Sequence, residues 1–471
     1  LVALTNYQTK LMKKTILALG VVASFVCTTV FFSSTGCSST PETSDTTKTV
    51  NTTTINSSWA VPPYDIIGEK QATADTFSWR TFIAMNWPAD PNSCGADTTK
   101  TILSGTGPVV WETYLSSDQI FVGAGHQPAS WCANANKETA MAHLPTKVQE
   151  LARKTGINRF IHMNAKSPSP HDLDQASGGP LVDQNGRFVR YEIRVNNDEY
   201  NYITQNSLWN KTGQQNFLSA GDSVVFPSGA SSYGTQGPIE FKAAWKVMGA
   251  GDDTTKFYCI RAIVYNDESG DPSPGPNPVT LGLVGLHISH KTATQRMWVW
   301  STFEHVDNLT HSFYNPASNQ LPNQPITGSP DELNPATGQP LHIPTQVTRV
   351  NPVVQQDDVG AINKYFQGLL HGSVWANYEL IGTQWLQFED VEPEFLANSV
   401  QETYLQGPHP DSVGFDYQPH STDDYYFHHA EYHPFSPWTS SSCLGCHYKA
   451  KLPVSGQHNA ADFSFLLGNA Q

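Results

Sequence analysis

The sequence predicts a β-rich α+β fold, with an antiparallel sheet or sandwich at its centre, flanking helices and a distinct C-terminal region. Three observations carry this. Charged residues make up only 15% of the 471 residues, while Gly and Pro number 34 and 32, a balance that suits strands and ordered loops better than helical bundles. The middle of the chain is dominated by segments of β-branched and aromatic residues bounded by Gly, Pro or Asn. Helical periodicity is concentrated towards both flanks. With 38% hydrophobic residues and twelve Trp, there is enough apolar surface for one large domain or two closely packed ones.

Residues 1–36 read as an export signal, with the true start expected at Met12. Lys13 and Lys14 precede the uncharged run "TILALGVVASFVCTTVFF", and small residues follow it. A basic n-region, an apolar h-region and a small-residue cleavage site are the parts of a secretory signal. Ser34-Thr35-Gly36-Cys37 resembles a bacterial lipobox, with Ser34 where Leu is usual, so Cys37 is the expected lipidation site. The alternative is an uncleaved anchor, because the run is just long enough to span a bilayer. Both place the protein in the bacterial cell envelope, held at the membrane on its periplasmic or outer-membrane face. Residues 37–60 are Ser/Thr-rich and read as an unstructured tether, since they cannot bury enough surface to offset their ordering entropy.

Residues 61–394 are expected to form the β-rich domain. Its strand segments are "GPVVWETYL", "RFVRYEIRV", "GPIEFKAAWKVM", "KFYCIRAIVY", "TLGLVGLHISHK" and "RMWVWSTFEHV". "DQNG" ahead of "RFVRYEIRV" is a hairpin turn signal. Helices are expected in "ADTFSWRTFIAMNW", "NDEYNYITQNSLWN", "VGAINKYFQGLLHGSVWANYELIGTQW" and "FLANSVQETYLQ", and a long Pro-rich loop from Asn315 to Gln355. Residues 395–471 form the C-terminal region. Near its end Asp462 can cap a short turn and Gly468 can end it, with Phe463, Phe465 and Leu466 buried beneath.

The formal net charge is −15; residues 1–36 hold three lysines and no acid, which leaves the chain from Cys37 at −18. An acidic surface argues against nucleic acid and against an anionic membrane face, and suits a basic protein partner. Of the seven cysteines, Cys94 and Cys132 lie in polar loop-like sequence and are the expected disulfide in an oxidising compartment. Cys259 alternates as a strand residue and reads as a core thiol.

Cys443-Leu444-Gly445-Cys446-His447 is the most informative stretch. Two thiols two residues apart match the two vinyl groups of a haem, and the histidine directly after them points its imidazole at the iron. In an exported chain this spacing favours one covalent haem c, with Cys443 and Cys446 as attachment points and His447 as the metal ligand. A zinc site needs four ligands; the motif supplies three, and His458 would have to complete it. A redox-active dithiol would need a strand before the first cysteine, which "HPFSPWTSSS" does not provide. No methionine follows His447. A sixth ligand would come from Met85, Met297, His420, His428, His429 or His433, and the other expectation is an open distal position.

"FSWRTFIAMNWP", "VVWETY", "IEFKAAW", "LVGLHISHKT", "WVWSTFEHVDN", "SSCLGCH" and "DFSFLL" resemble recurring blocks of a family of exported bacterial proteins labelled cytochrome c family, with a single C-terminal CxxCH. The resemblance runs from Phe77 to Leu467. It implies one haem per chain and an exported location, carries over only Cys443, Cys446 and His447, and supplies no substrate.

A second cluster is expected if the central strands pair. Period-two alternation puts Glu240 and Lys242 on one face of their strand, His287 opposite Leu286 and Ile288, and Glu304 with Trp298 and Trp300. These four can line a buried polar pocket as acid–base groups, or form a satisfied salt-bridge network instead. The expected function is therefore a lipid-anchored monohaem c-type cytochrome moving electrons to a redox partner protein. The alternatives are a haem enzyme acting on a small molecule at an open iron, and a surface binding lipoprotein with structural haem.

Overall fold

The structure, a computed structural model, describes residues 54–308 apart from 69, 91, 106, 124–125, 133–140, 142–143, 163–180, 184–186, 231, 233, 266–276 and 296. It also describes the backbone of 313–315 and 345–347, residues 359–385, Val400, Cys443, His447, and 450–471 without 457–458. The signal, Cys37, most of the tether, the Pro-rich loop and nearly all of "FLANSVQETYLQ" lie outside the described residues.

In chain order the strands are β1 (Ala89–Asp90), β2 (Gly95–Ala96), β3 (Leu115–Ser116), β4 (Phe160–His162), β5 (Val182–Asp183), β6 (Arg190–Val195), β7 (Ile239–Val247), β8 (Cys259–Tyr265), β9 (Val279–His290), β10 (Val299–His305), β11 (Phe313–Asn315), β12 (Thr345–Val347) and β13 (Tyr378–Gln384). The α-helices are α1 (Gln71–Met85), α2 (Ser117–Ile120), α3 (Thr146–Thr155), α4 (Asn197–Gln205), α5 (Lys211–Ser219) and α6 (Val359–Leu369). An eight-stranded sheet runs β13-β10-β9-β7-β6-β3, with β8 branching from β9 and β4 on β8. Every pairing in it is antiparallel except β4 with β8. The fold is thus α+β and β-rich, with an antiparallel sheet at its centre.

Both faces of the sheet are covered, because successive residues of each strand turn to opposite sides. Phe241, Ala243, Leu286, Ile288 and Phe303 face one layer, where they meet Trp79, Phe82 and Ile83 of α1, Phe366 of α6 and Trp111. Helix α1 is buried almost all round, so its polar residues need partners inside. Ser78 finds them in Ser301 at 2.6 Å and Thr383 at 2.7 Å. On the same face of β6, Glu192 and the buried Arg194 lie beside Arg159, which bridges Glu112 at 3.1 Å and Glu192 at 2.7 Å. On the other face, Val195 and Trp300 pack with Phe226, Leu452, Phe463, Leu466 and Leu467. That layer brings the C-terminal region onto the sheet.

Several expectations need correction. "VVWETY" is a 3-10 turn over Val110–Thr113 rather than a strand, because Glu112 turns back to accept the Val109 N–H at 3.0 Å. "VWANYELIGTQW" is not helical: after α6 comes a 3-10 turn at Val374–Asn377, and Tyr378–Gln384 pairs with β10 as β13. The tether ends sooner than expected, since Ser57–Ala60 form a 3-10 turn capped by Asn56 and bury Trp59. The ends of the "DQNG" turn do close as a hairpin, with Val189 donating to the Leu181 carbonyl at 2.9 Å and Asp183 to that of Arg187 at 2.9 Å. Cys94 and Cys132 form a disulfide with Cα atoms 5.9 Å apart, and Cys259 remains a thiol. Among the described residues, no helix is long and apolar enough to cross a membrane.

Candidate functional site

The chain from Ala450 folds back as a narrow hairpin. Ala461 donates to the Ala450 carbonyl at 2.9 Å and Leu452 to that of Asn459 at 2.8 Å. Asp462 and Phe463 then both take left-handed backbone, at φ 48° and 69°, a conformation that costs about 1 kcal/mol per non-glycine residue. This twist aims two successive carbonyls at separate targets. The Asp462 carbonyl accepts from the Trp298 indole at 3.1 Å, and Trp298 is itself left-handed at φ 67°. The Phe463 carbonyl accepts from Nδ1 of His447 at 2.7 Å. Ser464, not the expected Asp462, caps the final 3-10 turn Phe465–Asn469, accepting from Leu466 N–H. Gln214 of α5 donates to the Leu467 carbonyl at 2.9 Å, and Asn469 to Ser117 at 2.9 Å.

Cys443 and His447 each have helical backbone. Cys443 is half-buried against the apolar cluster that contains Trp298, Trp300 and Leu452. The His447 ring lies near two aromatics, with ring centres 4.3 Å from Trp300 and 5.1 Å from Phe465. Phe463 and Leu466 are buried as expected, but Phe465 is 46% exposed. Because a carbonyl can only accept, the Phe463 contact places the imidazole proton on Nδ1 and the lone pair on Nε2. That tautomer is the one a histidine ligand presents through Nε2, with its other nitrogen anchored to a carbonyl. A half-buried thiol, an Nε2 donor and an exposed aromatic ring beside it are a donor set and an apolar edge that fit a haem. Cys446 and His458 lie outside the described residues, as do His420, His428, His429 and His433. Met85 is buried in the α1 layer, where its sulfur accepts from Tyr114 at 3.5 Å. Met297 shares the cluster that touches Cys443.

Strand register brings the expected Glu240, Lys242, His287 and Glu304 to one face of the sheet. Register puts Lys242, His287 and Thr302 in one row, with Glu240 opposite Ser289 and Glu304 opposite Gly285. His287 bonds Thr302 through Nδ1 at 2.8 Å, and the Lys242 ammonium lies 5.3 Å from the Tyr191 ring centre. Glu240 turns to the C-terminal segment and accepts from the Ser464 hydroxyl. His290, on the opposite face, donates from Nε2 to the Gln236 carbonyl at 2.8 Å, and burial pushes its pKa down to about 4.

A second polar cluster assembles from Glu199, Glu240, Lys291, Asp462 and Ser464. Glu199 lies on α4, whose N-cap Asn196 accepts the Glu199 N–H at 3.1 Å. In a capping box the third helical residue reaches back to the N-cap amide. Here that amide already donates to the Ile239 carbonyl at 3.0 Å, so the Glu199 carboxyl is turned inward, fully buried against Glu240. Burial, then the Glu240 charge, then Asp462 hold Glu199 well above the ordinary carboxylate range, and burial raises Glu240 as well. Asp462 pairs with Lys291 and accepts from Phe226 N–H at 2.6 Å. Gly237 closes the floor at φ 79°, where a Cβ would lie 2.1 Å from the Lys291 carbonyl. The Asn-x-x-Glu spacing at 196–199 is visible in the sequence, but nothing in it shows that the amide it would serve is taken.

Among the described residues, no three His, Cys, Asp or Glu side chains converge as metal ligands. No protein-family model, no curated protein and no solved structure matches this chain.

Proposed function

We propose that this chain is a lipid-anchored monohaem c-type cytochrome that transfers electrons outside the cytoplasm. Cys443 and Cys446 are the thioether attachment points, and His447 is the axial ligand. The observation that carries the reading is the hydrogen bond from His447 Nδ1 to the Phe463 carbonyl, 2.7 Å long. It orients the ring, fixes the tautomer and raises the basicity of Nε2, as anchored ligand histidines require. The haem, when bound, supplies one-electron iron chemistry. The chain's own residues do the rest. Trp300 and the exposed Phe465 lie beside the imidazole, Cys443 packs on the same apolar cluster as Trp300, and the left-handed turn at Asp462–Phe463 holds the accepting carbonyl in place. The net charge of −15 supports a basic redox partner, which opposite charge would steer into contact.

Protein matured in an export-competent host is expected to carry haem that survives denaturation and acid-acetone extraction. Cys443→Ala with Cys446→Ala should abolish it. Extractable haem, or stoichiometric zinc in its place, overturns the reading. Low-spin six-coordinate iron supports electron transfer, whereas high-spin iron that binds carbon monoxide moves the assignment to an enzyme acting on a small molecule.

A further inference from the structure

Glu199 is the most deeply buried acid of the C-terminal cluster, with none of its surface exposed. If both it and Glu240 are ionised, neither can donate, and both Glu199 oxygens are left without a hydrogen-bond partner. Two like charges in contact are costly where one of them is wholly buried, and an unsatisfied buried carboxylate adds to the cost. One proton removes the like-charge contact and gives one Glu199 oxygen a partner: Glu199 as the acid donates to Glu240, which also accepts from Ser464. The pair then holds one proton and one negative charge and titrates as a unit.

The charges around the pair leave this proton without competition. Lys291 is the cation of the cluster, and its ammonium is committed to Asp462, both side chains being 2% exposed. Asp198, on the same helix, accepts from Gly237 N–H at 2.9 Å. Tyr202, one turn along, accepts from Val225 N–H at 2.9 Å, and burial keeps its phenol protonated. Asp462 adds a further negative charge.

The pair is also wired to the proposed ligand. Ser464 donates to Glu240, and the residue before it, Phe463, accepts from His447 through its carbonyl. A charge change at an iron bound by His447 therefore acts on the pair through buried protein, where electrostatic coupling is much stronger than in water.

We propose that the Glu199–Glu240 pair is a redox-linked proton site, releasing its shared proton when an electron leaves the haem iron and regaining it when one arrives. The inference rests on the haem reading above. The balance is one electron to an external oxidant such as ferricyanide and one proton to solvent, leaving two carboxylates that the added positive charge at iron stabilises. The reverse step takes one electron from a reductant such as dithionite and one proton from solvent. No bond to either carboxyl carbon is made or broken.

The test is a redox titration of the haem-loaded protein over about pH 5 to 9, the range in which raised carboxyl pKa values fall. It is paired with infrared difference spectra of the oxidised and reduced forms. The midpoint potential should fall with rising pH, with a limiting slope of about 59 mV per unit for a tenfold change in proton activity at one electron. A protonated-carboxyl C=O band should be lost on oxidation. Glu199→Gln should flatten the slope and delete the band, while leaving the haem attached. A wild-type potential that does not change with pH overturns the inference, whether or not the variant folds, and so does a slope that survives Glu199→Gln. A chain that never retains haem overturns the parent reading instead. In that protein the infrared carboxyl band alone reports whether the pair holds a proton, and its absence would remove the inference on separate grounds.

Discussion

Lys291 and Asp462 form an ion pair in which both side chains are 98% out of solvent, joining the end of β9 to the left-handed turn that presents the Phe463 carbonyl to His447. Breaking a buried pair from one side leaves an uncompensated charge, which costs about 3–5 kcal/mol. Lys291→Met should therefore lower stability by that order in urea unfolding. It should also make the segment after Ala450 accessible to limited proteolysis before the sheet unfolds. Equal proteolytic resistance of variant and wild type would show that the pair does not secure this segment.

The anchoring of His447 has a spectroscopic consequence. His447→Ala should keep at least part of the covalent haem, because the thioethers do not depend on it, while changing the Soret band and shifting the potential by tens of millivolts or more, on the order of axial-ligand effects. Replacing His420, His428, His429, His433, Met85 or Met297 singly should give a comparable change in at most one case. An unchanged spectrum and potential in His447→Ala with haem still bound would remove it as the ligand.

Two buried groups should make opposite contributions to the pH dependence of stability. Burial pushes Asp75 up to about 6, against hydrogen bonds from Thr383 and Gln71. Its folded pKa lies above the unfolded value, so the folded state is favoured at low pH and loses about 3 kcal/mol as pH rises from 3.8 through 6. His290 is pushed down to about 4. Its stabilising effect is present above pH 6.5 and lost on the way down through 4, again by about 3 kcal/mol. Between pH 4 and 6 the two nearly cancel. Asp75→Asn should therefore make stability rise more steeply with pH in this window, and His290→Phe should make it fall. Parallel pH profiles in denaturant unfolding for all three proteins would refute both assignments.

The disulfide and the remaining strand thiol should separate cleanly. The Cys94–Cys132 bridge spans 38 residues, so removing it with Cys94→Ala and Cys132→Ala should cost about 3–4 kcal/mol by loop-closure entropy. Burial pushes Cys259 up to about 11, so it should react slowly with iodoacetamide at pH 7 in the folded protein. Non-reducing peptide mapping that links Cys259 to either partner would contradict this pairing.

Lipidation is tested at Cys37. Cys37→Ala should release the protein from the membrane fraction and abolish palmitate labelling. Undiminished labelling in the variant would exclude Cys37 as the anchor.

The strands were legible because burial on alternate sides leaves a period of two in the residues themselves. "IEFKAAW" and "STFEH" sit in β7 and β10 as their alternation indicates, and α1 follows from the apolar density of "TFSWRTFIAM". The CxxCH spacing is local covalent geometry, so it too was visible without a fold. Three other features depended on partners far away in the chain. "YELIGTQ" has helix-compatible periodicity, but β10 needed hydrogen bonds along its outer edge, and pairing overrode local preference. Glu112 turned "VVWETY" from strand to 3-10 turn because its carboxylate caps Val109 while Arg194 binds its carbonyl at 2.9 Å. Glu199 met Glu240 only because β7 and the C-terminal hairpin occupy the space into which the helix cap turns it. Period and spacing record which way a side chain points. What it meets there is set by segments tens to hundreds of residues distant, and for the Glu199–Glu240 pair only the tertiary structure supplied it.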